Sequence, residues 1–167
     1  VGPQNVVNMH VTLVPYIKAA GELKTKPTQQ SVAKLREIGL QPQVLICRSE
    51  RPIEPDVRQK LSMFCSVSQK AVIEARDVEH TVYEVPLMLH AEGLDKLVCD
   101  LLHLQTPEPD LTNWRKFVER VVSPKKQINI AVVGKYIDLQ DAYKSIYESL
   151  THAAASQDCG INLKLID

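Results

Sequence analysis

Residues 6–17 read VVNMHVTLVPYI, and residues 21–29 follow with GELKTKPTQ. The first stretch is rich in apolar and β-branched residues, which predicts a buried β-strand that ends near Pro15. The second stretch is polar, and Thr28 is placed to cap a helix that Gly39 would end. Three apolar residues share the spacing of one helical face: Val32, Leu35 and Ile38. A strand, a polar loop and a helix in this order predict an α/β unit.

The same alternation continues along the chain. Apolar runs predict strands at 44–47, 71–74, 128–133 and 161–166, and helical spacing predicts helices at 55–64, 77–104, 111–122 and 142–150. Pro86 would start a helix within 77–104, and Gly93 would divide that stretch. The segment QTPEPD at 105–110 has two prolines and no apolar residue, which indicates a linker. We therefore expect a parallel sheet wrapped by helices in residues 1–104, a linker with a helix at 105–126, and a second α/β domain opening at 127–167.

The composition limits the classes of partner. The chain has 167 residues, 44% of them hydrophobic, so it can form a core. Twenty basic and twenty acidic residues cancel, which argues against nucleic acid polymers and anionic membranes as partners. The charges are nevertheless segregated, because residues 1–40 hold five basic and two acidic side chains while 74–110 hold two basic and nine acidic ones. The basic groups near the start could hold an anion.

The cysteines and histidines show no sign of a metal site or a disulfide framework. The four cysteines lie far apart, without a Cys-x-x-Cys pair: Cys47, Cys65, Cys99 and Cys159. This favours buried, reduced thiols in a cytoplasmic protein, and no histidine has metal-ligand spacing with them. Gly134 and Lys135 follow a predicted strand, but Asn129 stands where a P-loop needs its first glycine.

Residues 21–29, called the lysine loop below, are the strongest candidate for a binding site. Lys24 and Lys26 could offset phosphate charge, and neighbouring hydroxyl and amide groups could recognise a base or a sugar. In open α/β sheets, ligands bind beyond the carboxyl ends of strands and beside helix N-termini. A solvated loop with a threonine cap explains the same residues, and the sequence leaves both interpretations open.

Two other groups are weaker candidates. Lys60 precedes Phe64 by about one helical turn, and a charge beside a ring could stack on and neutralise a nucleotide, although surface lysines beside core aromatics are common. Arg76, Asp77 and Val78 follow the third predicted strand. Asp77 could accept a hydrogen bond from a nucleotide, or it could cap the next helix.

Several motifs together resemble the glutamine-dependent CTP synthase family. They are VTLVPY at 11–16, GELKTKPTQ at 21–29, CRS at 47–49, MFC at 63–65, VGKYI at 133–137 and DAYKS at 141–145. The resemblance covers essentially the whole chain, and the hexapeptide KTKPTQ at 24–29 is its most specific part. It implies an incomplete P-loop-type, dethiobiotin synthetase-like amidoligase domain, followed by the first elements of a class I glutaminase domain.

The resemblance also implies an activity, which is ATP-dependent amination of UTP to CTP with glutamine as nitrogen donor. Mg²⁺ would accompany ATP, GTP would activate, and the enzyme would be a homotetramer able to form filaments. UTP, and CTP as feedback inhibitor, would be bound at a subunit interface by Lys24, Thr25, Lys26, Pro27, Thr28, Gln29, Lys60 and Phe64. The adenine side of ATP would contact Arg76, Asp77 and Val78. No catalytic residue and no metal ligand would fall within this chain.

The family's Gly-rich ATP loop, its Mg²⁺-binding carboxylates and its glutaminase triad have no match in this sequence. We therefore expect a piece of a longer enzyme that has neither synthetase nor glutaminase activity by itself. The alternative is a non-catalytic module that senses nucleotides or joins subunits, with its lysine loop reading CTP.

Overall fold

The computed structural model describes residues 2–137 and 139–167, which form two compact units. The first unit comprises the chain up to Glu79 together with Glu84–Glu108. The second comprises His80–Tyr83 and Pro109–Asp167. The short segment His80–Tyr83 thus belongs to the second unit although the chain on both sides of it belongs to the first.

The first unit contains a three-stranded parallel sheet, a small hairpin and four helices. Its strands are β1 (Met9–Leu13), β2 (Tyr16–Ile17), β3 (Glu22–Leu23), β4 (Val44–Ser49) and β5 (Val72–Arg76). Its helices are α1 (Lys26–Glu37), α2 (Pro55–Cys65), α3 (Val85–Ala91) and α4 (Leu94–Leu101). The sheet has the order β1-β4-β5 with all strands parallel, and β2 pairs with β3 in an antiparallel hairpin. The predicted α/β class with a parallel sheet is confirmed.

Helices cover both faces of this sheet. On one face, Leu45 and Cys47 of β4 pack in a core with Val32 of α1 and Leu61 of α2. On the other face, Val44 and Ile73 form a second core against leucines of α3 and α4, which are Leu89, Leu94, Leu97 and Leu101. Successive strand residues point to opposite faces, so alternate residues of β4 enter different cores. Burial on both faces explains why β4 and β5 read as continuous apolar runs.

The strand predicted within residues 6–17, buried and ending near Pro15, is shorter and less buried in the structure. The strand ends at Leu13, and Tyr16–Ile17 turns into the hairpin, where Gly21 has a φ of +66° that glycine adopts without strain. The face of β1 that does not pack against α1 is exposed, and the fractional exposures of Met9, Val11 and Leu13 are 48%, 60% and 57%. An apolar sequence pattern does not reveal whether a neighbouring element covers the strand.

Two predicted helix caps are also wrong. Helix α1 begins at Lys26, with Thr25 before it and Pro27 in its first turn, so Thr28 lies inside the helix. Asp77 caps no helix, because residues 77–81 are not helical and the chain enters α3 only after a 3₁₀ turn at Val82–Glu84. The predicted start at Pro86 and the break at Gly93 are confirmed.

The second unit contains helices α5 (Thr112–Val122) and α6 (Lys144–Ser156) and the parallel strands β6 (Lys126–Val133) and β7 (Cys159–Ile166). Tyr83 packs edge-on against Trp114 and Phe117 of α5, at centroid distances of 6.2 and 5.1 Å. Its hydroxyl lies 2.5 Å from both Glu148 Oε2 and His152 Nε2. Trp114 and Phe117 thus form an aromatic packing face of α5.

All four cysteines are free in the structure. Cys47 and Cys65 are buried as predicted, whereas Cys99 and Cys159 are partly exposed. Within residues 2–137 and 139–167, no helix is both long enough and apolar enough to span a membrane.

Candidate functional site

The three parallel strands of the first unit end at one edge of their sheet. Leu13 is in register with Arg48, and Ser49 is in register with Arg76, so the carboxyl ends of β1, β4 and β5 lie side by side. The lysine loop follows β1 and its hairpin, residues 50–54 follow β4, and residues 77–81 follow β5. The topology therefore places the candidate segments at one edge, where α/β sheets bind ligands.

The two lysines of the lysine loop have different neighbours. Lys24 forms an ion pair with Glu22, and this hydrogen bond and charge hold the pKa of Glu22 below its ordinary value. Lys26 Nζ instead lies 5.9 Å from the ring centroid of Phe64, in cation–π geometry. Helix α1 thus brings Lys26 to the ring of Phe64.

The polar residues of the loop hold the start of α1. Gln29 Nε2 donates to Thr25 Oγ1 at 3.0 Å, across the first turn. Thr28 has no exposed area, and its hydroxyl donates to Leu13 O at 3.0 Å and accepts from Thr12 Oγ1 at 3.2 Å. The Thr28 side chain is therefore engaged with β1, whereas its backbone N–H lies in the first turn, which has no intrahelical acceptors.

A cavity of about 560 Å³ lies beside this turn in the first unit. It is lined by Tyr16, Gly21, Glu22, Leu23, Thr25, Arg51, Pro52, Glu54, Asp56, Val57 and Lys60. Its volume is in the range of small-molecule sites. Of the predicted UTP-binding residues, Thr25 and Lys60 line it, whereas Lys24, Lys26, Pro27, Thr28, Gln29 and Phe64 do not.

The segment after β5 is held to the end of β4. Asp77 Oδ1 accepts from Arg48 Nη2 at 2.8 Å, and the Asp77 N–H donates to Ser49 O at 3.1 Å. Arg76 is the last residue of β5, and its Nε lies 3.8 Å from Glu74 Oε1. Sequence reasoning did not single out Arg48 as a contact of Asp77, because only the register of β4 and β5 brings the two together.

Sequence reasoning also missed Tyr16 and Arg51, which line the cavity from the hairpin and from the segment after β4. The Arg51 guanidinium carbon lies 5.4 Å from the ring centroid of Tyr16. The available signal was position, since both residues follow the carboxyl end of a predicted strand.

Comparison with known proteins assigns the chain to a family. A family model described as CTP synthase N-terminus matches residues 1–104. The chain belongs to the CTP synthase family. It is 57% identical over 166 residues to a CTP synthase of Methanocaldococcus jannaschii and 53% identical over 167 residues to one of Methanococcus maripaludis. A CTP synthase of Protochlamydia amoebophila is 50% identical over 160 residues.

These alignments cover 99%, 100% and 96% of the chain but only 31%, 31% and 30% of the three CTP synthases. The chain thus spans about a third of the length of these relatives. The family match contains the lysine loop, the whole cavity and the Arg48–Asp77 pair. Among the residues that the structure describes, no group of three or more His, Cys, Asp or Glu side chains is arranged to hold a metal ion.

Proposed function

We propose that this chain is part of a glutamine-dependent CTP synthase, in which ATP phosphorylates the uracil 4-oxygen of UTP and ammonia from glutamine displaces the phosphate. Membership of the CTP synthase family supports the reaction. The first unit would belong to a P-loop-type, dethiobiotin synthetase-like amidoligase domain. The strand–helix–strand of the second unit would open the class I glutaminase domain.

The lysine loop, Lys60 and Phe64 would bind UTP, and CTP as feedback inhibitor, at a subunit interface of a tetramer able to form filaments. The cavity is the observation that carries this assignment, because it joins Thr25 at the start of α1 to Lys60 on α2. Lysine side chains offset the charge of a triphosphate, and free N–H groups at a helix start add donors. Lys26 beside Phe64 would supply a cation and a ring at the same helix start.

Arg76, Asp77 and Val78 would contact the adenine side of ATP. Support comes from their place at the carboxyl end of β5, where main-chain and side-chain groups can reach a ligand. No residue of this chain is assigned to Mg²⁺ or to GTP. The 167 residues alone would have neither synthetase nor glutaminase activity.

The test uses the full-length enzyme that contains this chain, with ammonia as nitrogen donor so that glutamine hydrolysis is not needed. Lys26→Ala and Lys60→Ala are each expected to raise the KM for UTP and weaken inhibition by CTP about 10- to 100-fold, the effect of losing one charge-assisted contact. Lys34→Ala is the matched control, because Lys34 lies on the same helix and is paired with Glu37. Unchanged kinetics in both test variants would refute the site, and binding of CTP without any synthesis would favour a nucleotide-sensing module.

A further inference from the structure

Arg51 is a cation of the cavity to which neither the lysine loop nor the proposed function gives a role. It lines the cavity together with Lys60, which lies in the second turn of α2. Three carboxylates line the same space: Glu22, Glu54 and Asp56. Without Arg51, a nucleoside triphosphate entering this cavity would meet Lys60 as the one cation among the lining residues, against three carboxylates.

The guanidinium of Arg51 packs over an aromatic ring, a contact that does not use its hydrogen-bond donors. It lies 5.4 Å from the ring centroid of Tyr16, which also lines the cavity. No ion pair or side-chain hydrogen bond of Arg51 occurs among residues 2–137 and 139–167. An aromatic face orients a guanidinium while its N–H edge remains free, and that edge matches the oxygen pairs of a phosphate.

The carboxylates that line the cavity do not form ion pairs with the Arg51 guanidinium in the described part of the chain. Glu22 is paired with Lys24. Glu54 is the N-cap of α2 and Asp56 lies in its first turn, where the helix dipole stabilises negative charge. Arg51 lines the same cavity as both and pairs with neither within the described part of the chain.

We infer that Arg51, oriented by Tyr16, is a further phosphate-binding residue of this cavity and contacts the phosphate chain of the bound pyrimidine nucleotide together with Lys60. This inference rests on the proposed function, since it takes the cavity as the UTP and CTP site. Arg51 would make the affinity for the nucleotide increase with the number of phosphates, because its N–H donors would contact the phosphate chain and not the base. Tyr16 acts as a positioning residue.

The experiment measures binding of CTP, CDP and cytidine to the full-length enzyme by competition against UTP. Arg51→Ala is expected to weaken CTP binding about 10- to 100-fold, to weaken CDP binding, and to leave cytidine binding within about twofold. Arg51→Lys should recover part of the loss, because it keeps the charge and loses the fork. Tyr16→Phe should bind like the wild type, whereas Tyr16→Ala should lose selectivity for CTP over cytidine.

The outcomes separate this inference from the proposed function. If Lys60→Ala weakens CTP binding and Arg51→Ala does not, the inference is overturned and the proposed site stands. Equal losses for CTP and cytidine in Arg51→Ala would also overturn it, since a general disturbance of the cavity does not depend on phosphate. If neither variant affects CTP, both the site and the role of Arg51 are excluded. Thermal melting of each variant checks that its fold is intact.

Discussion

Replacing Thr28 with valine would remove one hydroxyl from beneath the lysine loop and keep the shape of the side chain. Thr28 is completely buried, and its hydroxyl bonds both to Leu13 O, at 3.0 Å, and to Thr12 Oγ1, at 3.2 Å. In Thr28→Val both groups lose this partner in a site that water reaches poorly. We expect the free energy of unfolding to fall by about 1–3 kcal/mol, the cost of leaving buried polar groups unsatisfied.

Urea unfolding of Thr28→Val, Thr12→Val and the double variant would measure this effect. Thr12→Val should cost less, about 0.5–1.5 kcal/mol, because Thr28 keeps its bond to Leu13 O and only one hydrogen bond is lost. The double variant should be more stable than the sum of the two losses predicts, since both substitutions break the same bond.

The same variant separates a structural role for the Thr28 side chain from a direct contact with UTP. Because the hydroxyl is turned toward β1, Thr28→Val in the full-length enzyme should leave the KM for UTP within about threefold below the melting transition. A variant that keeps wild-type stability but has a strongly raised KM would refute this reasoning, because the hydroxyl would then serve the ligand and not the fold.

Three further outcomes are expected. The hydrogen bond to Glu148 and burial raise the pKa of Tyr83 from 10.0 to about 12. The neutral phenol therefore stabilises the fold below pH 10, and this contribution is lost as the pH rises from 10 to 12. The difference in unfolding free energy between wild type and Tyr83→Phe should shrink over that interval, and a constant difference would contradict the assignment. Glu92→Ala should cost about 1–3 kcal/mol in urea unfolding, because Glu92 accepts two hydrogen bonds from the half-buried Arg58, and Glu92→Gln, which keeps an acceptor, should cost less. A thiol reagent at pH 8 should label Cys99 and Cys159 quickly and spare Cys47 and Cys65. Burial raises the pKa of Cys47 to about 12 and also raises the pKa of Cys65, so neither forms the reactive thiolate readily. Rapid labelling of all four cysteines in the folded chain would contradict this expectation.

Much of the fold follows from local pattern. Helix α2 was predicted at 55–64 and is Pro55–Cys65, and helix α5 was predicted at 111–122 and is Thr112–Val122. Both segments carry apolar residues at helical spacing and clear boundaries, so the information is contained in neighbouring residues. The errors fall where a distant element decides, as at β1, whose exposed face depends on what lies over it.

The candidate site divides in the same way. The sequence singled out the lysine loop, Lys60 and the segment at 76–78 as candidates, because charged and polar residues after strands are visible without a structure. It could not assign the Thr28 hydroxyl to β1, the ring of Phe64 to Lys26, or Arg51 to Tyr16. Each of these contacts joins residues at least fifteen positions apart, and sequence spacing says nothing about such pairs.

The sequence by itself determined the class of fold, the alternation of the longer strands and helices, and the family to which the chain belongs, because periodicity and a specific hexapeptide are properties of short stretches. Only the tertiary structure decided which side chains share the cavity and which are turned into the core. Parallel pairing of β1, β4 and β5 brings three separate segments to one edge, and that pairing is settled by long-range packing and not by any local preference.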